Sequence, residues 1–95
     1  MNKYESIIII NPNIVGDELK KVISKMQLLK ENMGKVENVK EIGKKKLAYP
    51  IKNNTEGYYV LFEFEVDSNN VSEIERVYRI TEEIMKFIIV RKTEE

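Results

Sequence analysis

The chain contains no cysteine and no histidine. Without cysteine there are no disulfides and no thiolate chemistry. Without histidine there is no imidazole acid–base work, and the two absences together remove the usual zinc ligands. A glycine-rich phosphate loop and a nucleophile beside a base are also missing. No apolar run is long enough to cross a bilayer, since Ile7–Ile10 is only strand length. The start of the chain lacks a charged-then-apolar segment with a small-residue cleavage site, so a soluble cytoplasmic protein is expected. There is no excess of either charge: 16 basic side chains face 16 acidic ones. A surface that grips nucleic acid everywhere needs a cationic surplus, so that class is disfavoured.

What is present suits one domain of 95 residues, spanning 1–95, with a modest core. The charge is unevenly placed. Lys35, Lys40, Lys44, Lys45, Lys46 and Lys52 are set against only Glu37 and Glu41 in the same segment. Lys86, Arg91 and Lys92 make a second cluster. The compensating acid lies mostly between Glu63 and Glu83 and in Glu94-Glu95. This pattern predicts local rather than global contact with RNA phosphate. For any single lysine, plain solubility is the better explanation; for Lys44-Lys45-Lys46 together, phosphate is favoured.

Periodicity gives the elements. Lys3–Ile10 reads as a strand ended by Asn11-Pro12-Asn13. Leu19, Val22, Ile23, Met26, Leu29 and Met33 then share one helical face, with Asn13 or Asp17 as cap and Gly34 as terminator. Val36–Ile51 reads as a long strand, bulged near Gly43 where the apolar spacing slips. Leu47, Tyr49 and Ile51 alternate on it, and Pro50 places it at a sheet edge. A polar turn at Asn53–Gly57, closed by glycine, leads to a strand at Tyr58–Val66. Asp67–Asn70 caps a second helix with apolar face Val71, Ile74, Val77 and Tyr78, and Ile84–Arg91 is the last strand. The order β-α-β-β-α-β predicts an α+β, ferredoxin-like fold. Four antiparallel strands carry two helices on one face, with the first and third strands in the middle.

Side-chain parity then predicts what lies on the bare face of that sheet. Glu63 and Glu65 are not core residues, so Tyr59 and Leu61 point outward with them, while Val60, Phe62, Phe64 and Val66 point inward. The same reasoning turns Ile7 and Ile9 outward with Glu5, and Ile88 and Val90 outward with Lys86. Six apolar residues on neighbouring strands form a patch that a soluble monomer rarely leaves unused. Docking of a protein partner is favoured slightly over β-branched strand propensity or a self-dimer surface.

Catalysis lacks parts. Glu82-Glu83 reads as solvated surface, and neither Asp17-Glu18 nor Glu94-Glu95 has metal-binding spacing. Small phosphatases of this topology need an arginine near the first loop, which here reads Asn11-Pro12-Asn13. RNA-recognition modules stack bases on outward rings, but only Tyr59 is available, with Ile7 and Ile9 where a ring is wanted. A ligand-sensing module that self-associates through the sheet is the main competitor from another class. No cofactor, metal, membrane or small-molecule substrate is expected.

The segment Gly43-Lys44-Lys45-Lys46-Leu47-Ala48-Tyr49-Pro50-Ile51, followed by Gly57-Tyr58, resembles the signature of the bacterial family of the sixth small-subunit ribosomal protein. Tyr4-Glu5 and Asn11-Pro12-Asn13 fit the same family at the right distances, and the likeness covers nearly the whole chain. The resemblance implies a ferredoxin-like structural part of the ribosome, without catalysis. It implies pairing with the eighteenth small-subunit protein and binding of that heterodimer to the central domain of the small-subunit ribosomal RNA. Carried onto this chain, the family's basic pair is Lys45-Lys46, often arginine elsewhere, so a point charge replaces a forked contact. Lys3 stands for the basic residues near the start, and Lys86, Arg91 and Lys92 for those around the last strand. With Lys44 and Lys52 added from the charge pattern, the expected RNA-contacting set is Lys3, Lys44, Lys45, Lys46, Lys52, Lys86, Arg91 and Lys92.

Overall fold

The computed structural model describes residues 1–92, so the Glu94-Glu95 tail lies outside the described residues. Strand β1 (Asn2–Ile10) leads to helix α1 (Gly16–Glu31), then β2 (Gly34–Ile51), β3 (Asn54–Val66), α2 (Val71–Ile80) and β4 (Ile84–Arg91). The sheet order is β2-β3-β1-β4, and each neighbouring pair is antiparallel. This is the expected ferredoxin-like arrangement, with β1 and β3 central and β2 at an edge, where Pro50 has no ladder partner to disappoint.

Alternation builds the core. On β3, Val60, Phe62, Phe64 and Val66 are fully buried, and on β1 so are Ser6, Ile8 and Ile10. Met26 of α1 and Ile74 and Tyr78 of α2 close over them, also fully buried. Each large apolar side chain so covered contributes about 1.5–3 kcal/mol. Tyr4 stacks on Phe64 at 5.9 Å between ring centroids, and Tyr78 meets Phe87 edge-on at 5.2 Å. Among the described residues two polar ones, Ser6 and Lys30, lie inside. The Ser6 hydroxyl and the Tyr78 hydroxyl share a 2.9 Å hydrogen bond. Lys30 is fully buried on the inner face of α1.

Several local readings change. Neither Asn13 nor Asp17 caps α1; extended Val15 occupies that position without a side-chain bond. Asn11 instead builds the turn, its Oδ1 accepting from the Asn13 amide at 2.9 Å, while Asp17 and Glu18 do sit in the first turn of the helix. The helix ends at Glu31 with Asn32 as its C-cap, so Gly34 does not terminate it. Gly34 opens β2 against β3, where an added Cβ would overlap the Glu65 carbonyl oxygen.

The hairpin turn is shorter than its polar sequence suggests. Ile51 pairs with Asn54, and Lys52 and Asn53 both take positive φ, 48° and 66°. That is the backbone of a tight two-residue hairpin turn, so Asn54–Gly57 belongs to β3. Asn53 tolerates the left-handed region; Lys52 occupies it at a cost of about 1–2 kcal/mol.

Two outcomes are expected in urea denaturation. Tyr78→Phe or Ser6→Ala strands a buried hydroxyl and lowers stability by about 1–3 kcal/mol, whereas the double variant loses less than the sum. Gly34→Ala forces β2 away from β3 and costs about 1–3 kcal/mol.

Candidate functional site

Strand β2 has 18 residues and its partner β3 has 13. The register absorbs the surplus in three places. One extra residue lies at Glu37 and one at Ile42, beside Gly43 at φ 106°. The third irregularity is larger: Lys46 pairs with Glu56 and Ile51 with Asn54, leaving Leu47–Pro50 opposite Thr55 alone. Extra residues on one strand bend it and strengthen its twist. The arched segment comes over the bare face of the sheet. Leu47, Ala48, Tyr49 and Ile51 form one wall of a groove whose floor is Ile7, Ile9, Tyr59 and Ile88. The groove holds about 230 Å³. Small-molecule pockets run to ~300–1,000 Å³, so this one suits an anchoring side chain better than a ligand.

Cross-strand pairing places the outward residues in rows. Leu61, Ile7 and Ile88 lie abreast on β3, β1 and β4. Tyr59, Ile9 and Lys86 form the next row, and Glu63, Glu5 and Val90 the row beyond. The six apolar residues therefore occupy one face, as parity predicts. Ile88 is 54% exposed and Val90 48%, while Ile7, Tyr59 and Leu61 are half-covered. Ile9 differs. It faces away from the helices but is only 8% exposed, because the chain's own hairpin covers it. Its Cγ2 occupies the space a Cβ at Gly57 would need, with Leu47 and Met85 close by. Ile9 is thus a support beneath the patch, and the exposed part is Ile88 and Val90 with their half-covered neighbours.

At one end of this face two carboxylates, Glu5 and Glu63, stand directly opposite each other. Like charges in that position repel. Lys92 relieves them, its ammonium bonded to Glu63 Oε2 and 3.9 Å from Glu5 Oε2. Asn38 also donates to Glu63, at 3.1 Å. The Lys92 and Asn38 bonds hold the Glu63 carboxyl below its ordinary pKa, and the Glu63 bond raises that of Lys92. Farther along β2, the Tyr58 hydroxyl donates to Glu41 at 2.8 Å, which raises the phenol's pKa.

The basic residues fall into two groups. Lys44, Lys45, Lys46 and Lys52 are exposed along the arm formed by β2 and the start of β3. Among the described residues the first three have no ion pair. Lys86 belongs with them, its ammonium 5.8 Å from the centre of the Tyr49 ring. Lys3, Arg91 and Lys92 lie at the far end of β1. Six residues of strand, about 20 Å, separate Lys3 from Ile9. Here the cations are engaged: Lys3 with Glu37 at 4.0 Å, Arg91 with Asn2 at 2.9 Å, and Lys92 with the two glutamates. The structure does not gather the eight basic residues into one patch.

The groove wall escapes a reading by alternation, because Leu47–Ile51 is arched rather than flat. The signal was Pro50 beside a run too long for its partner strand. Among the described residues no group of three or more potential metal ligands converges, and no helix is long and apolar enough to cross a membrane.

Comparison with known proteins gives a consistent result. The family model described as ribosomal protein S6 matches residues 3–91. Small ribosomal subunit protein bS6 of Thermoanaerobacter pseudethanolicus is 42% identical over 95 residues, covering 99% of this chain and 100% of that protein. The bS6 protein of Clostridium kluyveri is 44% identical over 92 residues, 96% of this chain and 97% of its own. The crystal structure of 30S ribosomal protein S6 from Thermotoga maritima superposes with a TM-score of 0.91 at 34% identity, over 96% of this chain and 87% of that one. A protein from Arabidopsis thaliana shares the fold alone, with a TM-score of 0.58 at 14% identity. A chain matched almost end to end in sequence and in backbone belongs to the ribosomal protein S6 family, structural and non-catalytic proteins of the small subunit of the bacterial ribosome.

Proposed function

We propose that this chain enters the small subunit as one half of a heterodimer with the eighteenth small-subunit protein, and that the pair binds the central domain of the small-subunit ribosomal RNA. The division of labour follows two surfaces. The bare sheet face takes the protein, through Ile7, Tyr59, Leu61, Ile88 and Val90, with Ile9 supporting them from below. The arm takes phosphate, through Lys44, Lys45, Lys46 and Lys52, with Lys86 at its base. Lys3, Arg91 and Lys92 make a secondary contact, since each already has a partner within the domain.

The observation that carries this reading is the row Leu61, Ile7, Ile88, flanked by the arched segment. It is continuous, apolar and open at one side. Covering one such side chain is worth about 1.5–3 kcal/mol, or roughly ten- to a hundredfold in affinity. The zero net charge supports a cooperative mode of RNA binding, because the chain alone has few free cations to offer.

Ile88→Glu and Leu61→Glu are expected to weaken heterodimer formation at least tenfold in calorimetric titration with the purified partner. At exposed Ile88 the change in folding stability is expected within about 0.5 kcal/mol. Ile9→Glu is a poor probe, since it places a charge under the hairpin and unfolds the face itself. If both variants keep full affinity, the partner sits elsewhere. For RNA, about three phosphate contacts from the arm give a slope of roughly −2 to −3 in log affinity against log salt. Changing Lys44, Lys45 and Lys46 together to glutamine is expected to flatten that slope. Tight, steeply salt-dependent RNA binding by the chain alone, or a stable homodimer in sedimentation, contradicts the proposed roles.

A further inference from the structure

Lys30 has no part in either surface, yet it is fully buried. It follows Met26 by four residues and Ile23 by seven, both core positions, so the turn of α1 carries it under the helix. Its ammonium donates to the Met26 carbonyl oxygen at 3.0 Å. Its other sides face rings: Phe62 at 3.8 Å, Tyr78 at 4.7 Å and Phe64 at 5.4 Å from their centres. A buried ammonium is normally paired with a carboxylate, but among the described residues Lys30 forms no ion pair.

The elements around it include β2, whose inward Val36 and Val39 pair with Phe64 and Phe62 of β3. From α1 comes the Met26 carbonyl. From β3 come Phe62 and Phe64, while Glu63 and Glu65 alternate onto the opposite face of the sheet. From α2 comes Tyr78, whose hydroxyl is bound to Ser6 of β1 and whose ionisation burial pushes beyond the alkaline range. Tyr4 of β1 lies behind Phe64, and Phe87 of β4 behind Tyr78. Among the described residues the groups facing the ammonium are thus a carbonyl oxygen and aromatic rings, not a carboxylate.

We propose that Lys30 is a proton-operated stability device in the core: losing its proton tightens the seating of α1 on β3. Independent of RNA or partner binding, the box has two opposed effects. Loss of water disfavours the ammonium, and the ring faces and carbonyl favour it. Burial prevails and brings the pKa down from 10.5 to about 7. The sign follows from proton counting. Between the folded and unfolded pKa values the unfolded chain binds more protons, so stability rises with pH across that window. Below it both states are charged and the full penalty is present.

The test compares the native chain with Lys30→Met and Lys30→Arg by urea denaturation from pH 6 to pH 10. Lys30→Met fills the same volume without charge. It is expected to have the smaller unfolding constant at pH 6, and the ratio to wild type is expected to close by up to about tenfold per pH unit above pH 7. Lys30→Arg stays charged and is expected to show no alkaline gain relative to Lys30→Met. A second readout needs no variant: the Lys30 Cε resonance of the native chain is expected to titrate near pH 7, below the ordinary lysine value of 10.5. A ratio constant with pH, or a Lys30 midpoint at or above the ordinary 10.5, overturns the proposal. If Lys30→Met does not fold, the resonance alone decides.

Discussion

The antiparallel pairing of β1 with β3 governs this molecule. It is unbroken from Asn2 opposite Val66 to Ile10 opposite Tyr58. Because side chains alternate, one continuous register fixes two faces at once. The inner face receives Ile8, Ile10, Val60, Phe62, Phe64 and Val66 and is sealed by both helices. The outer face receives Ile7, Leu61 and Tyr59. A slip of one residue would exchange the two sets, exposing phenylalanines and burying Glu63 and Glu65. The core therefore enforces the composition of the outer face.

The edge strands are freer, and the chain uses that freedom. β1 and β3 match residue for residue, whereas β2 outgrows β3 and must bend to stay paired. Bending turns an ordinary edge into an arm with lysines on its length and an apolar wall at its tip. Proline, which cannot donate to a ladder, sits where the ladder has already parted. A basic surface and an apolar wall are thus made from one strand without disturbing the central pair.

The legible parts of the structure are those set by short periods. Glu63 and Glu65 mark the outer parity of β3 unambiguously, and from them the whole face follows. The helical face of α1 is equally clear. The arch of the arm is only hinted at, by Pro50 in an overlong strand, since a four-against-one mismatch is a relation between two strands. The turn misled because Gly57 and its polar neighbours suggested a loop; a lysine in the left-handed region carries no signature. Lys30 was hidden by its charge, although its spacing from Ile23 and Met26 placed it inside. Alternation gives Ile9 its face, but its burial depends on the hairpin folded across it. The division of the basic residues into a free group and an engaged group depends on cross-strand neighbours such as Glu5 and Glu63, which linear spacing does not reveal.

Gly57 and Ile9 share a single parcel of space, because the isoleucine methyl fills the place where a side chain at 57 would begin. The sizes of these two residues are consequently tied together. A relative that carries alanine or serine at the position of Gly57 must shorten the residue at the position of Ile9, or lift its arm from the sheet. The pair fixes how closely the arm lies against the strands, and a swap of volumes between the two sites would leave that height unchanged.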